Sequence, residues 1–160
     1  EVKNSKLILK SSSPRITDIL SVKFQNQGVL SSVEFMNTKT NFEDHINLYK
    51  KVDIALDTFP YNGVTTSFES IWMGTPVITM KGYNFNSRCG ESINKNLDME
   101  FLIAENQIQY IAKARELSEN KDKLINIRKK IFDQAASSPL FDTKSFSFDF
   151  FKTLETIYNK

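Results

Sequence analysis

The sequence predicts an α/β fold: a doubly wound, Rossmann-like, mostly parallel sheet with an α-helical C-terminal tail. Short apolar runs at residues 6–10, 33–36, 52–56, 76–80 and 101–104 have strand length and read as buried parallel strands. Between them lie segments whose apolar residues recur at helical spacing, opened and closed by capping and stop residues. The 160 residues fit one domain, 1–160, long enough to bury roughly 70% of the surface its unfolded form exposes.

In order, Lys6-Leu-Ile-Leu-Lys10 is the first strand. Pro14 suits the first turn of a helix with Ile16, Ile19, Leu20 and Phe24 on one stripe, and Gly28 ends it. Val33-Glu-Phe-Met36 is the second strand, and Asn37 to Thr40 a polar loop. Asn41 caps a helix whose first turn holds Glu43 and Asp44, where the helix dipole favours them, and which continues through His45 and Leu48.

Residues 52–56 predict a central strand covered on both faces, and residues 57–63 leave it through Pro60 and Asn62-Gly63, which are turn formers. The next helix carries Phe68, Ile71 and Trp72 inward and stops at Gly74-Thr-Pro76, ahead of the strand at 76–80. Ser87 is placed to cap a helix running to about Leu97, and Phe101-Leu-Ile-Ala104 is the last strand. From Glu105 the chain is helical, with Ile108, Ile111, Leu117, Leu124, Ile131 and Phe132 on its apolar face. Ser138-Pro139 breaks it, and Thr143 or Ser145 starts a final helix with Phe150, Phe151, Leu154 and Tyr158 inward.

Composition excludes several function classes. The formal charge of +2 arises from nearly balanced signs, so no global field points to nucleic acid. The basic residues between Lys121 and Lys130 alternate with Leu124 and Ile127 at helical spacing, which reads as a solvated helix face. No apolar run reaches membrane-spanning length, and Cys89 is the single cysteine. These features point to a cytoplasmic protein without a membrane partner. The chain opens without Met and enters a strand within six residues, which suggests a piece of a longer protein. The five glycines form neither Gly-x-Gly-x-x-Gly nor a P-loop, and one His with one Cys makes no metal cluster. No cofactor or metal is expected.

The chemistry concentrates in residues 52–80. A strand, a short loop and a helix opening on Thr65-Thr66 present backbone N–H groups at residues 64–67 beyond the carboxyl end of a strand, where open α/β sheets bind anions. Gly63 and Val64 let the backbone approach a ligand closely. Thr66-x-x-Glu69 also matches a capping box, a purely structural use of the same donors. A carboxylate at Glu69 would repel phosphate, so against a ligand it accepts from neutral hydroxyls such as those of a ribose. His45 reads either as an exposed polar residue or as a flat ring that stacks on a base. Diphosphate, ribose and base together mean a nucleotide. Trp72, on the Phe68/Ile71 stripe, reads as core packing.

Asp53-x3-Asp57-Thr-Phe-Pro-Tyr-Asn-Gly-x-Thr-Thr-x2-Glu-x-Ile-Trp-Met-Gly-Thr-Pro-Val-x-Thr-Met80 closely resembles the carboxyl-terminal catalytic lobe of the O-GlcNAc transferase / SPINDLY family, glycosyltransferase family 41. Ser87-Arg88 and Ser137-Ser-Pro-Leu-Phe-Asp-Thr-Lys144 extend the resemblance to that family's tail motif. It implies the second lobe of a GT-B glycosyltransferase, the lobe that holds most of the sugar nucleotide. Carried over by position, Thr65 and Thr66 match the diphosphate-binding threonines, Glu69 the acidic residue on the ribose, and His45 the base-stacking histidine. Lys39 and Thr40 fall in the loop whose backbone reads the base edge. Val64 replaces the His or Thr common before the threonine pair, Leu48 an Arg near the base, and Phe42 a Lys on the ribose.

The resemblance thus implies a nucleotide-sugar-binding lobe of an inverting, metal-independent protein O-glycosyltransferase acting from UDP-GlcNAc on Ser or Thr. The family's leaving-group Gln and Lys and its acceptor-side His residues would lie upstream of Glu1, with helical repeats that present the protein acceptor. No catalytic residue is therefore expected within the fragment, which alone would be inactive. Two alternatives stay open: a SPINDLY-type lobe using GDP-fucose, and a non-catalytic nucleotide-binding module.

Overall fold

A computed structural model describes residues 2, 4–11, 13–37 and 41–159. Contacts divide the chain into two compact units, Glu1–Val52 and Asp53–Lys160. Among the described residues every strand pairing is parallel, in keeping with the expected α/β class.

In the first unit β1 (Leu7–Ser11) pairs with β2 (Val33–Asn37), Leu9 opposite Phe35. Between them runs α1 (Pro14–Asn26), with Pro14 in its first turn. Gly28, at φ +68, closes that helix: its N–H reaches Gln25 O and the next N–H reaches Phe24 O, the paired bonds of a Schellman motif. Of the predicted stripe, Leu20 and Phe24 are half-buried, Phe24 facing the Phe35 ring at 6.5 Å, whereas Ile16 and Ile19 are exposed. The unit closes with α2 (Phe42–Leu48), capped as expected by Asn41 Oδ1 accepting from the Asp44 N–H at 2.8 Å.

The second unit is a three-stranded sheet in the order β3 (Ala55–Leu56), β4 (Val77–Met80), β5 (Ile103–Ala104). Here the structure departs from the expectation of a central strand at 52–56. The strand is two residues long, Leu56 is 47% exposed, and among the described residues β3 pairs only with β4. The central position belongs to β4, whose Val77, Ile78 and Thr79 are all buried.

Helix α3 (Thr65–Trp72) links β3 to β4, and α4 (Cys89–Lys95) lies between β4 and β5. The predicted single helix after Glu105 is two: α5 (Gln107–Glu119) and α6 (Lys121–Ala135). Asn106 and Asn120 begin them by accepting from the N–H groups of Gln109 and Lys123, so the second cap divides the run. Ile71, Ile78, Ile93, Leu97, Met99, Leu102, Leu117 and Ile131 form the core where these helices meet the sheet. Each such side chain taken fully out of water contributes about 1.5–3 kcal/mol.

Other expectations shift by a residue or a face. Ser87 does not cap α4. It is the third residue of a 3-10 turn, Phe85–Ser87, and shares a capping box with Asn84. Ile108, Ile111 and Phe132 are exposed, and Tyr110 is the half-buried aromatic of α5 instead. Trp72 is 51% exposed rather than core, its ring leaning on Phe141 at 5.0 Å. The last helix, α7 (Thr143–Tyr158), starts where expected, with Asp142 accepting from the Ser145 N–H at 3.0 Å. None of its residues is buried, so Phe150, Phe151, Leu154 and Tyr158 do not face inward. No helix among the described residues is long and apolar enough to cross a membrane.

Candidate functional site: the loop and helix after β3

The site is built where β3 ends. Asp57 continues the ladder by donating its N–H to Ile78 O at 2.9 Å, and the chain then leaves the sheet. Its side chain turns back beneath the loop it starts: one carboxylate oxygen accepts from the Gly63 N–H at 2.7 Å, the other from the Thr79 hydroxyl at 2.7 Å. The Asp57 carbonyl accepts from the Tyr110 hydroxyl, also at 2.7 Å. Burial pushes the Asp57 carboxyl above the ordinary aspartate value, against the hydrogen bonds from Gly63, Thr79 and the Thr58 N–H, which favour the charged form. Burial likewise raises the Tyr110 phenol, with the Asp57 charge adding to the shift.

Asn62 holds the middle of the loop. It is 1% exposed, its amide donates to Thr58 O at 2.9 Å, and its side-chain oxygen accepts from the Gly90 N–H at 3.2 Å. The two glycines leave room for this packing. A Cβ on Gly63 would come within 2.6 Å of the Thr66 hydroxyl, and one on Gly90 within 2.3 Å of the Thr79 hydroxyl and 2.5 Å of an Asp57 oxygen. Gly63 therefore serves close backbone approach, though toward the protein's own α3 in the described structure.

Helix α3 begins at Thr65 with Val64 in the N-cap position and no side-chain cap bond. This corrects the capping-box expectation: Thr66 is the second helical residue, two positions past the N-cap and so too far in to act as the cap. The Ser67 hydroxyl is turned inward onto Gly63 O at 2.9 Å, while Thr65 and Thr66 are exposed and Glu69 is half-buried one turn on. Gly63, Val64, Thr65, Thr66 and Glu69 thus come together at one helix N-terminus, the positive end of the helix dipole.

His45 belongs to the first unit. Lys10 Nζ lies 2.6 Å from its Nδ1, within hydrogen-bond distance. The ring also meets Tyr49 edge-on at 5.6 Å. Lys39 and Thr40 lie outside the described residues.

A groove of about 570 Å³ opens beside α3, lined by Val64, Phe68, Phe85, Cys89, Ser92 and Leu140 among others. It shares only Val64 with the predicted nucleotide residues, so it is a separate, largely apolar feature. On its wall Glu91 is held between Arg88 Nε and Lys95 Nζ, each at 2.8 Å. Those two hydrogen bonds bring the Glu91 carboxyl down to about 2. The tail motif is seated on the same helix: the Phe141 ring packs edge-on to Phe68 at 5.7 Å, and Leu140 and Phe141 are packed against the core. Asp57, Asn62, Thr79 and Tyr110 were not singled out by sequence reasoning as site residues. Their partners lie 22 to 53 residues away for the Thr79 and Tyr110 contacts, beyond any local pattern.

Comparison with known proteins identifies the assembly. The sequence model of glycosyl transferase family 41 matches residues 4–150. A tomato (Solanum lycopersicum) protein described as a probable UDP-N-acetylglucosamine–peptide N-acetylglucosaminyltransferase SPINDLY is 37% identical over 115 residues, 72% of this chain and 12% of that protein. The barley (Hordeum vulgare) protein of the same description is 32% identical over 98% of this chain and 17% of its own length. A Caenorhabditis elegans UDP-N-acetylglucosamine–peptide N-acetylglucosaminyltransferase is 34% identical over 74% of the chain and 10% of its own length. Among solved structures, a mutant of the Thermobaculum terrenum O-GlcNAc transferase superposes with a TM-score of 0.82 at 28% identity, over 96% of this chain and 29% of that one. The chain therefore spans less than a fifth of these curated relatives. With the family's long motif forming β3, the loop, α3 and β4, and its tail motif packed on α3, the chain belongs to glycosyltransferase family 41.

Proposed function

We propose that this chain is the nucleotide-sugar-binding lobe of an inverting protein O-glycosyltransferase that transfers N-acetylglucosamine from UDP-GlcNAc to Ser or Thr of proteins. The observation that carries the reading is the N-terminus of α3, which has no side-chain cap and is held by the Asp57 and Asn62 bonds beneath it. The activities for which the tomato, barley and nematode relatives are named support the donor and the protein acceptor.

In this reading the diphosphate sits on the N–H groups of Thr65, Thr66 and Ser67 without a metal, and the helix dipole favours its charge. When an acceptor hydroxyl attacks the anomeric carbon from the opposite face, the bond to the diphosphate oxygen breaks and negative charge grows on the leaving group. Donors already aimed at that charge favour the transition state over the bound donor. Glu69 accepts from the ribose hydroxyls, and His45 is the base-stacking residue. Residues outside this chain complete the reaction centre, so the fragment alone binds donor and transfers nothing. A cytoplasmic setting, with acceptors presented by helical repeats of the longer protein, belongs to the same reading.

The test is an amide-resolved titration with UDP. Saturable shifts centred on Val64, Thr65, Thr66 and Ser67 are expected, unchanged by EDTA and only weakly competed by GDP. Glu69→Gln is expected to weaken UDP binding by roughly 1–3 kcal/mol, the size of a hydrogen bond to a charged group, with little change in melting temperature. UDP that leaves those four amides in place overturns the assignment.

A further inference from the structure

Among the polar groups near the N-terminus of α3, Asp57 stands apart because its carboxylate ties the loop ahead of the helix to β4. Its carboxylate is spent inward, on the Gly63 N–H and the Thr79 hydroxyl, each at 2.7 Å. Gly63 is the residue before the N-cap, and its carbonyl in turn accepts from Ser67, a residue of the first helical turn. A continuous chain of hydrogen bonds therefore runs from β4 through Thr79, Asp57 and Gly63 to Ser67. Gly90 packs against the Asp57–Thr79 pair so closely that a Cβ there would sit 2.5 Å from the carboxylate. Asp57, half-buried, thus links the sheet to the first turn of α3.

Resting on the donor-site reading above, we infer that Asp57 is the positioning residue of that site: it sets the α3 N-terminus at the height and tilt at which its N–H groups meet a diphosphate. Asp57 touches no substrate. It acts through Gly63 and Ser67, and its loss releases the loop at residues 58–63 without removing any ligand contact. The interaction it controls is the diphosphate's alone, because the nucleoside does not touch those N–H groups.

Affinities of UDP and uridine, measured side by side on this chain, separate that role from a merely structural one. Asp57→Ala is expected to weaken UDP binding about tenfold or more while uridine changes less than about twofold, since small misplacement of preorganised donors has effects of this order or larger. Asp57→Asn, which keeps an acceptor for the Gly63 N–H, is expected to restore most of the UDP-to-uridine ratio. A folded Asp57→Ala that melts lower but keeps the wild-type ratio overturns the proposal and leaves the donor-site reading intact. Wild-type protein that binds no UDP strikes the reading itself. Should Asp57→Ala not fold, hydrogen exchange on the wild type decides: the Gly63 amide is expected to exchange at least about tenfold more slowly than that of Val64, and equal rates overturn the clamp.

Discussion

The loop ahead of α3 and the helix α7 use polar and apolar residues in opposite ways. In the loop and its supports, Asn62, Ser67, Thr79 and Ser87 are buried and hydrogen-bonded. Along α7 the reverse holds. Phe146, Phe150, Leu154 and Ile157 recur at helical spacing on one stripe, and every one is exposed. Buried polar groups are tolerated only where each has a partner, so they appear where backbone geometry must be held to a fraction of an ångström. An uncovered apolar stripe contributes no burial energy to this chain. The first region is specified from within, and the second is not.

The strongest way to break the first region is to add volume where the clamp is tightest. Gly90→Ala puts a methyl group 2.3 Å from the Thr79 hydroxyl and 2.5 Å from an Asp57 oxygen, where Gly90 and Thr79 are buried and Asp57 is half-buried. Overpacking of this kind typically costs 1–3 kcal/mol, so a loss of about 3 kcal/mol in urea unfolding is expected, with unchanged m-value. A fully neutral Gly90→Ala would show that the loop is loose and would weaken the contrast with α7.

A smaller, pH-dependent effect tests the charged wall of the neighbouring groove. The Glu91 carboxyl is lowered from 4.5 to about 2, first by its hydrogen bond from Arg88 and then by that from Lys95. A carboxyl lowered in the folded state stabilises above its unfolded value and loses that contribution as the pH falls through its folded value. Glu91→Gln is therefore expected to destabilise by about 1 kcal/mol at neutral pH, a modest figure because the surface partners are screened. The difference from wild type should shrink as the pH falls from about 4.5 toward 2. A difference that stays constant over that interval assigns the effect to packing instead.

How much of this was legible in the sequence follows from how local each signal is. The Asn41 cap, the Gly28 and Gly74 helix ends and the start of α7 near Thr143 are written within a few residues, and each is found where expected. Gly74 stands at φ +69, with its N–H on Ile71 O and the next on Ser70 O. The loop and the start of the helix at Thr65 were legible for the same reason, as turn formers followed by two threonines. Their supports were not. Nothing within four residues of Asp57 announces Thr79 or Tyr110 as a partner, because parallel strands and a distant helix bring them together. The capping box failed by two residues: the motif fits Thr66 as the cap, but the helix starts at Thr65 and leaves apolar Val64 at its cap. Amphipathic spacing failed differently at Trp72 and in α7. It states which face is apolar and is silent on whether anything in the chain covers that face.

The smallest expected effect bears on α7 directly. Phe146 and Phe150 stack on each other with ring centres 5.8 Å apart, yet they are 68% and 50% exposed. If their apolar area meets only water and each other, Phe150→Ser removes little that folding has gained. The urea midpoint should then move by less than about 0.5 kcal/mol, as for ordinary surface positions, against about 2–5 kcal/mol for truncating a buried residue such as Ile71. Hydrogen exchange sharpens the same point, because helices that bury nothing open at low free energy. The amides of α7 should exchange well before those of α3 and β4, although α7 is twice as long as α3, at 16 residues to 8. Length alone would predict the opposite order, since a longer isolated helix is the more stable one. Protection of α7 equal to that of α3, together with a large loss in Phe150→Ser, would mean that the stripe is covered in solution and that the two regions are less different than their exposure makes them.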